Sequence, residues 1–247
     1  MRLVCFLFLL VAPFVWGDEQ VINKKWFAEM EAGSVWQSRN DVRIPSDTGT
    51  AFSLNDFGTG PVLAGRVYFG YRWSERSEFR VLFAPLVIKG LVSPSSAITF
   101  QDQTFNASLP TFSYYRFNSY RLTYRYRFWD DEKWKGWIGF TAKVRDARIA
   151  LQQGTVEAEK SDIGFVPLLN FKITYQVSSG WWIDLDGDAL AAPQGRAEDV
   201  VLRGVYQYSP DIKVNAGYRI LEGGADNKKV FTFTCLHYLV AGLEVSF

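Results

Sequence analysis

Residues 119–128 read Ser-Tyr-Arg-Leu-Thr-Tyr-Arg-Tyr-Arg-Phe, and no other feature limits the possible folds of this chain as strongly. Tyr120, Leu122, Tyr124, Tyr126 and Phe128 alternate strictly with Ser119, Arg121, Thr123, Arg125 and Arg127. On an α-helix this order would spread the arginines around the whole circumference. On a β-strand it separates into one aromatic and one basic face, because successive side chains point to opposite sides.

The same period of two recurs about ten times. Trp26, Ala28, Met30 and Ala32 oppose Glu29 and Glu31; Val67, Phe69 and Tyr71 oppose Arg66 and Arg72; Phe79, Val81 and Phe83 oppose Glu78 and Arg80. Further runs start near residues 138, 165, 183, 200, 212 and 239. The longest apolar run after residue 17, Val81–Ile88, contains Pro85 and falls well short of the ~20 residues a spanning helix needs. A membrane protein with such runs must be a closed barrel. Connections also alternate: segments 38–59, 90–112 and 150–161 are long, whereas 74–76, 130–133, 176–179 and 209–210 are turn-like. Short turns on one side and longer loops on the other describe an outer-membrane barrel. The expected fold is therefore all-β, a transmembrane antiparallel up-and-down β-barrel of about ten strands, with eight or twelve as alternatives.

The start of the chain reads as a leader. Met1-Arg2 precedes an apolar stretch from Leu3 to Trp16, and Val15 and Gly17 are positioned for cleavage after residue 17. Residues 1–17 are expected to be a signal peptide, and residues 18–247 a single barrel domain. Without Arg2 the 27 basic residues become 26, equal to the 26 acidic ones, so no charge excess calls for nucleic acid. Only Cys235 then remains, and no intrachain disulfide can form.

Parity assigns a polar interior. Its basic members are Arg66, Arg72, Arg80, Arg121, Arg125, Arg127, Lys143, Arg145, Lys172, Arg203, Lys213 and Arg219. Its acidic members are Glu29, Glu31, Glu78, Asp184, Asp186, Asp188 and Glu244. On the lipid side each charge would cost ~2–4 kcal/mol near the midplane. Inside, twelve basic against seven acidic groups either pair into a plug or line a narrow pore leaning to small anionic solutes. Trp26, Trp73, Trp129, Trp134, Trp137, Trp181 and Trp182 fall near the short-turn ends of strands and are expected to form an aromatic girdle at the membrane boundary.

The last strand, His237 to Phe247, ends in alternating apolar residues and a terminal phenylalanine. It resembles the signal read by the barrel-assembly machinery, with Phe247 as its final residue. The whole chain resembles the bacterial outer-membrane β-barrel (porin-like) superfamily. It looks closest to an uncharacterised family of small barrels with stretches like Val35-Trp-Gln-Ser-Arg-Asn-Asp-Val-Arg-Ile and Ala191-Ala-Pro-Gln-Gly-Arg. The resemblance implies outer-membrane lipid as surroundings and brings no catalytic residues.

Enzyme chemistry has little to work with in the sequence. The single histidine, His237, shares the apolar face with Leu239 and Leu243, which reads as an outer lipid-boundary residue. No Gly-x-Ser-x-Gly elbow occurs. Cys235 and His237 are too few for a metal, and Asp184-Leu-Asp186-Gly-Asp188 lacks the glycine and glutamate positions of a calcium loop. The expectation is a structural barrel or narrow pore, not an enzyme, without cofactor or metal. The alternatives are a surface enzyme acting on lipid A or peptide, and an adhesin or receptor binding through segments 38–59 and 90–112.

Overall fold

In the computed structural model, residues 24–58, 60–193 and 195–247 are described. The expected leader, residues 1–17, lies outside the described residues. The strands are β1 (Trp26–Arg43), β2 (Phe52–Ser53), β3 (Val62–Arg72), β4 (Ser77–Ala84), β5 (Val87–Val92), β6 (Ile98–Phe100), β7 (Gln103–Phe105) and β8 (Thr111–Asp130). They continue with β9 (Trp134–Gln153), β10 (Val156–Ser178), β11 (Trp181–Ala192), β12 (Gly195–Ser209), β13 (Ile212–Asp226) and β14 (Phe231–Ser246). A 3-10 turn occupies Leu54–Phe57.

Ten staves close into an antiparallel barrel, because β14 pairs with β13 on one side and with β1 on the other. The seam runs from Phe27 opposite Ser246 to Arg43 opposite Phe231. β4 and β5 together make one stave, interrupted at Pro85, which has no N–H for the ladder. The interruption is bridged from β8: Leu86 N donates to the Asn118 side chain (3.2 Å), and Phe117 N donates to Leu86 O (2.9 Å).

Outward faces carry Leu63, Phe69, Val81, Leu122, Phe140, Phe165, Leu202 and Leu239, all exposed. Inward faces carry the charges. The short connections lie at one end, the periplasmic end of such barrels.

The long connections differ from the expectation of open loops. Residues 38–43 belong to β1, and 150–161 form the top of the β9–β10 hairpin, turned at Gly154 with φ +58°. Most of the remainder folds down as a cap. Ile44, Leu54, Phe57, Phe100 and Phe105 are fully buried, packed on the inward side chains Ile88, Tyr115, Leu151 and Leu236. A Cβ on Gly90 would lie 2.6 Å from Phe57 O and 2.7 Å from Phe57 Cβ, so glycine is what lets the cap reach the wall. The apolar side chains within these segments drive the closure, since they have no hydrocarbon to enter at the outer mouth.

The inside–outside division yields a direct test. With Cys235 replaced by alanine, spin labels at Leu122→Cys and Tyr124→Cys should collide freely with membrane-dissolved oxygen. A label at Thr123→Cys should be shielded; the opposite pattern would reverse the faces.

Candidate functional site

The middle of the lumen is filled by a network of guanidinium and carboxylate groups. Asp199 of β12 is its hub. Its Oδ2 accepts from Arg66 of β3 (2.9 Å) and Arg121 of β8 (2.5 Å), and its Oδ1 from Arg219 of β13 (2.6 Å). Arg66 and Arg121 reach it from staves on either side, across the lumen. Arg219 also donates twice to Glu31 (3.1 and 2.8 Å). Asp186 receives a forked pair from Arg80 (2.8 and 3.0 Å) and a third bond from Arg125 (3.0 Å). Asp188 accepts from Arg121 (2.6 Å), Thr141 (2.6 Å) and Asn170 (2.9 Å). Arg203 pairs with Glu29 and, at 3.8 Å, with Asp184. Such forked, charge-assisted bonds are the strong kind and leave few lone pairs unused.

Lys143 is buried at the same depth. Among the described residues it makes no ion pair within 4.0 Å, and its ammonium lies 5.0 Å from the Phe117 ring centre. The space left within the network is about 10 Å³, one water at most.

Below the network lies a blind vestibule of about 240 Å³. Arg72, Arg125, Arg127, Lys135, Lys172, Arg203 and Lys213 line it, against Glu78, Asp184 and Glu244. Glu244 pairs with Arg72 (2.9 Å) and Lys213 (3.4 Å), Lys172 with Asp184 (2.9 Å), and Arg125 with Glu78 (2.5 Å). Arg145 alone of the inward cations from the sequence reading pairs toward the outer end, with Asp162 of the β9–β10 hairpin.

Two members of the expected girdle are placed differently. Trp26, Trp73, Trp129, Trp134 and Trp181 are exposed on the outer face near the short turns, where Trp129 stacks on Trp134 at 6.0 Å. Trp137 and Trp182 instead line the vestibule. Their parity is that of Lys143 and Asp184, which point inward. Trp137 lies under the Lys172 ammonium (5.5 Å) and the Arg127 guanidinium (6.0 Å). Phe247 sits at the seam: its N–H donates to Trp26 O (2.9 Å), and its ring lies 6.2 Å from that of Phe69.

Sequence reading missed Asp199. The signal was available, since Asp199 has the parity of Arg203 on the same strand. It also missed the surroundings of His237. That ring faces outward, with Nε2 2.6 Å from Ser38 Oγ and Nδ1 2.6 Å from the Tyr218 hydroxyl.

A closed antiparallel barrel with an even number of staves, an apolar exterior and a polar interior is the build of bacterial outer-membrane proteins. The chain has that build, a closed barrel of ten antiparallel staves. No family model and no curated protein matches its sequence. Among solved structures it is similar to the outer-membrane protease OmpT of Escherichia coli, at 11% identity over 90% of this chain and 97% of that one, TM-score 0.48. It is also similar to neisserial surface protein A, at 13% identity over 90% and 97%, TM-score 0.39. The attachment invasion locus protein Ail of Yersinia pestis matches at 10% identity over 89% and 99%, TM-score 0.40. Likeness of this extent says nothing about activity.

The hub can be weighed by mutation. Asp199→Ala leaves three buried guanidinium groups without their shared carboxylate and should cost ~3–5 kcal/mol. Asp162→Ala removes a partner that is 55% exposed and should cost under ~1 kcal/mol. Urea unfolding from lipid vesicles compares the two; equal effects would deny Asp199 its central place.

Proposed function

We propose that this protein acts in the outer membrane as a sealed barrel, a rigid wall carrying its working surfaces outside the lumen, and not as a passive anion pore. One observation supports this above others. Asp199 ties Arg66, Arg121 and Arg219 together across the lumen, and the residual space is the size of a single water. An ion passing this level would have to separate several hydrogen-bonded charge pairs at once, in an interior where each unpaired charge costs several kcal/mol. The apolar cap then closes the outer mouth. The excess of basic groups counted from sequence is concentrated in the blind vestibule, where it can attract anions from the periplasm without conducting them.

Planar bilayer recording tests the reading. The purified wild-type barrel should give no steady current in salt solution. A stable current whose size or ion preference changes in Arg121→Glu or Arg125→Glu would sink the sealed-barrel reading and restore the pore.

A further inference from the structure

The lipid-facing side of the β13–β14–β1 wall carries an arrangement that closure of the lumen does not explain. β1 makes its register shift against β14 between Gln37 and Arg39. Gln37 faces Leu236 and Arg39 faces Cys235, so Ser38 is the extra residue of a β-bulge. Bulges interrupt the ladder locally and re-aim a side chain. Here the exposed Ser38 hydroxyl is turned to His237 Nε2 at 2.6 Å. On the far side of the ring, Nδ1 is 2.6 Å from the Tyr218 hydroxyl. Trp36, directly across from His237 in the ladder, stacks on the imidazole with ring centres 5.7 Å apart.

We propose that Ser38, His237 and Tyr218 form a lipid-facing site that hydrolyses fatty-acyl esters of outer-leaflet lipids. The order of contacts is that of an activated nucleophile: a hydroxyl on a base, and the base held by a third group. For Nε2 to take the Ser38 proton, the ring carries its own proton on Nδ1 and donates it to the Tyr218 oxygen. Cys235 Sγ lies 3.6 Å from the same Nε2, a longer contact than that of the serine.

Position and surroundings fit such a substrate. His237 is ten residues from Phe247 along a tilted strand. At ~3.3 Å per residue and a tilt of ~40° that is about 25 Å, the height of the apolar band, so the site lies at its outer edge. Farther out, Arg39 and Arg43 hold their guanidinium groups over Phe233 and Phe231, at 5.0 and 5.3 Å, at the level of anionic headgroups. On the hydrocarbon side, a shallow outward depression of about 790 Å³ begins at Tyr218 and Leu239. The rung below is made of Gly204, Ala216, Ala241 and Ala32, side by side on four adjacent strands. Their small side chains leave room for an acyl chain against the wall.

In the first step Ser38 Oγ bonds to the ester carbonyl carbon and its proton moves to His237 Nε2. The bond from that carbon to the alcohol oxygen breaks, and the leaving oxygen takes the proton from Nε2. Water, deprotonated by the same nitrogen, then bonds to the acyl carbon; the bond to Ser38 Oγ breaks, and that oxygen takes the proton back from Nε2. The products are a free fatty acid and the lipid alcohol, and the net reactant is one water. Tyr218 is a positioning residue, acting through the ring.

The test uses the folded full-length barrel in vesicles of two kinds, one containing lipopolysaccharide and one only glycerophospholipid. Wild type should release fatty acid, detected by mass spectrometry, and a fluorophosphonate should label Ser38. Release from lipopolysaccharide assigns lipid A esters, and release from the phospholipid vesicles assigns glycerol esters. Ser38→Ala and His237→Gln should reduce release at least ~100-fold. Tyr218→Phe should lower kcat about tenfold with KM unchanged, and Cys235→Ala should retain release. Heat-modifiable gel mobility verifies that each variant is folded. No release from either vesicle, no label on Ser38, or loss in Cys235→Ala with retention in Ser38→Ala would overturn the proposal.

Discussion

In hydrocarbon no backbone N–H or C=O can go unpaired, and the rest of this structure depends on how the chain meets that demand. The β1–β14 seam removes the last open edge. Once closed, every stave has a fixed register on both sides, and inward and outward positions are decided for the whole barrel together. A slip of one residue in β8 would turn Arg121 and Arg125 to the lipid, at ~2–4 kcal/mol each near the midplane. The alternation of tyrosine and arginine in that strand is therefore a register lock as well as a surface pattern.

The interior charges follow from the same closure. Once arginines are excluded from lipid, they need carboxylates inside, and the chain supplies them from facing staves. Burying such pairs is not in itself a strong source of stability, because desolvation offsets much of the attraction. What the network adds is specificity. Asp199 can satisfy Arg66, Arg121 and Arg219 together only when β3, β8, β12 and β13 hold their observed positions around the lumen. Partial networks leave buried charges unpaired, so misassembled barrels are penalised more than the native one is favoured.

Fold and charge placement were legible in the sequence because both rest on parity. Features that do not rest on parity are less visible in the sequence. Trp137 and Trp182 were assigned by their nearness to strand ends, although their step along the strand points them inward. Asp199 stands one residue before Val200, where the alternating apolar run of β12 starts, although the strand itself begins at Gly195. The cap was hidden for another reason: Leu54, Phe57, Phe100 and Phe105 are apolar residues in segments without a period, so nothing local shows what they pack against. Ser38 and His237 are 199 residues apart. Only the closing seam brings them together, and the bulge that aims Ser38 leaves no mark in composition or spacing.

With the lumen sealed as proposed, chemistry is left to the surfaces outside it. The remaining surfaces are a blind vestibule and the outer wall. An outer wall is ordinarily a poor site for polar groups, since each must be hydrogen-bonded or lie near water. The β1 bulge meets that condition at low cost. It turns one hydroxyl outward while Gln37 and Arg39 pair with the consecutive residues Leu236 and Cys235, and it gives the hydroxyl a partner whose second nitrogen is already bonded to Tyr218. The strands on either side cannot shift without breaking the seam, so the three side chains stand on a rigid frame. Such a frame provides the preorganisation that a loop at the outer mouth would lack.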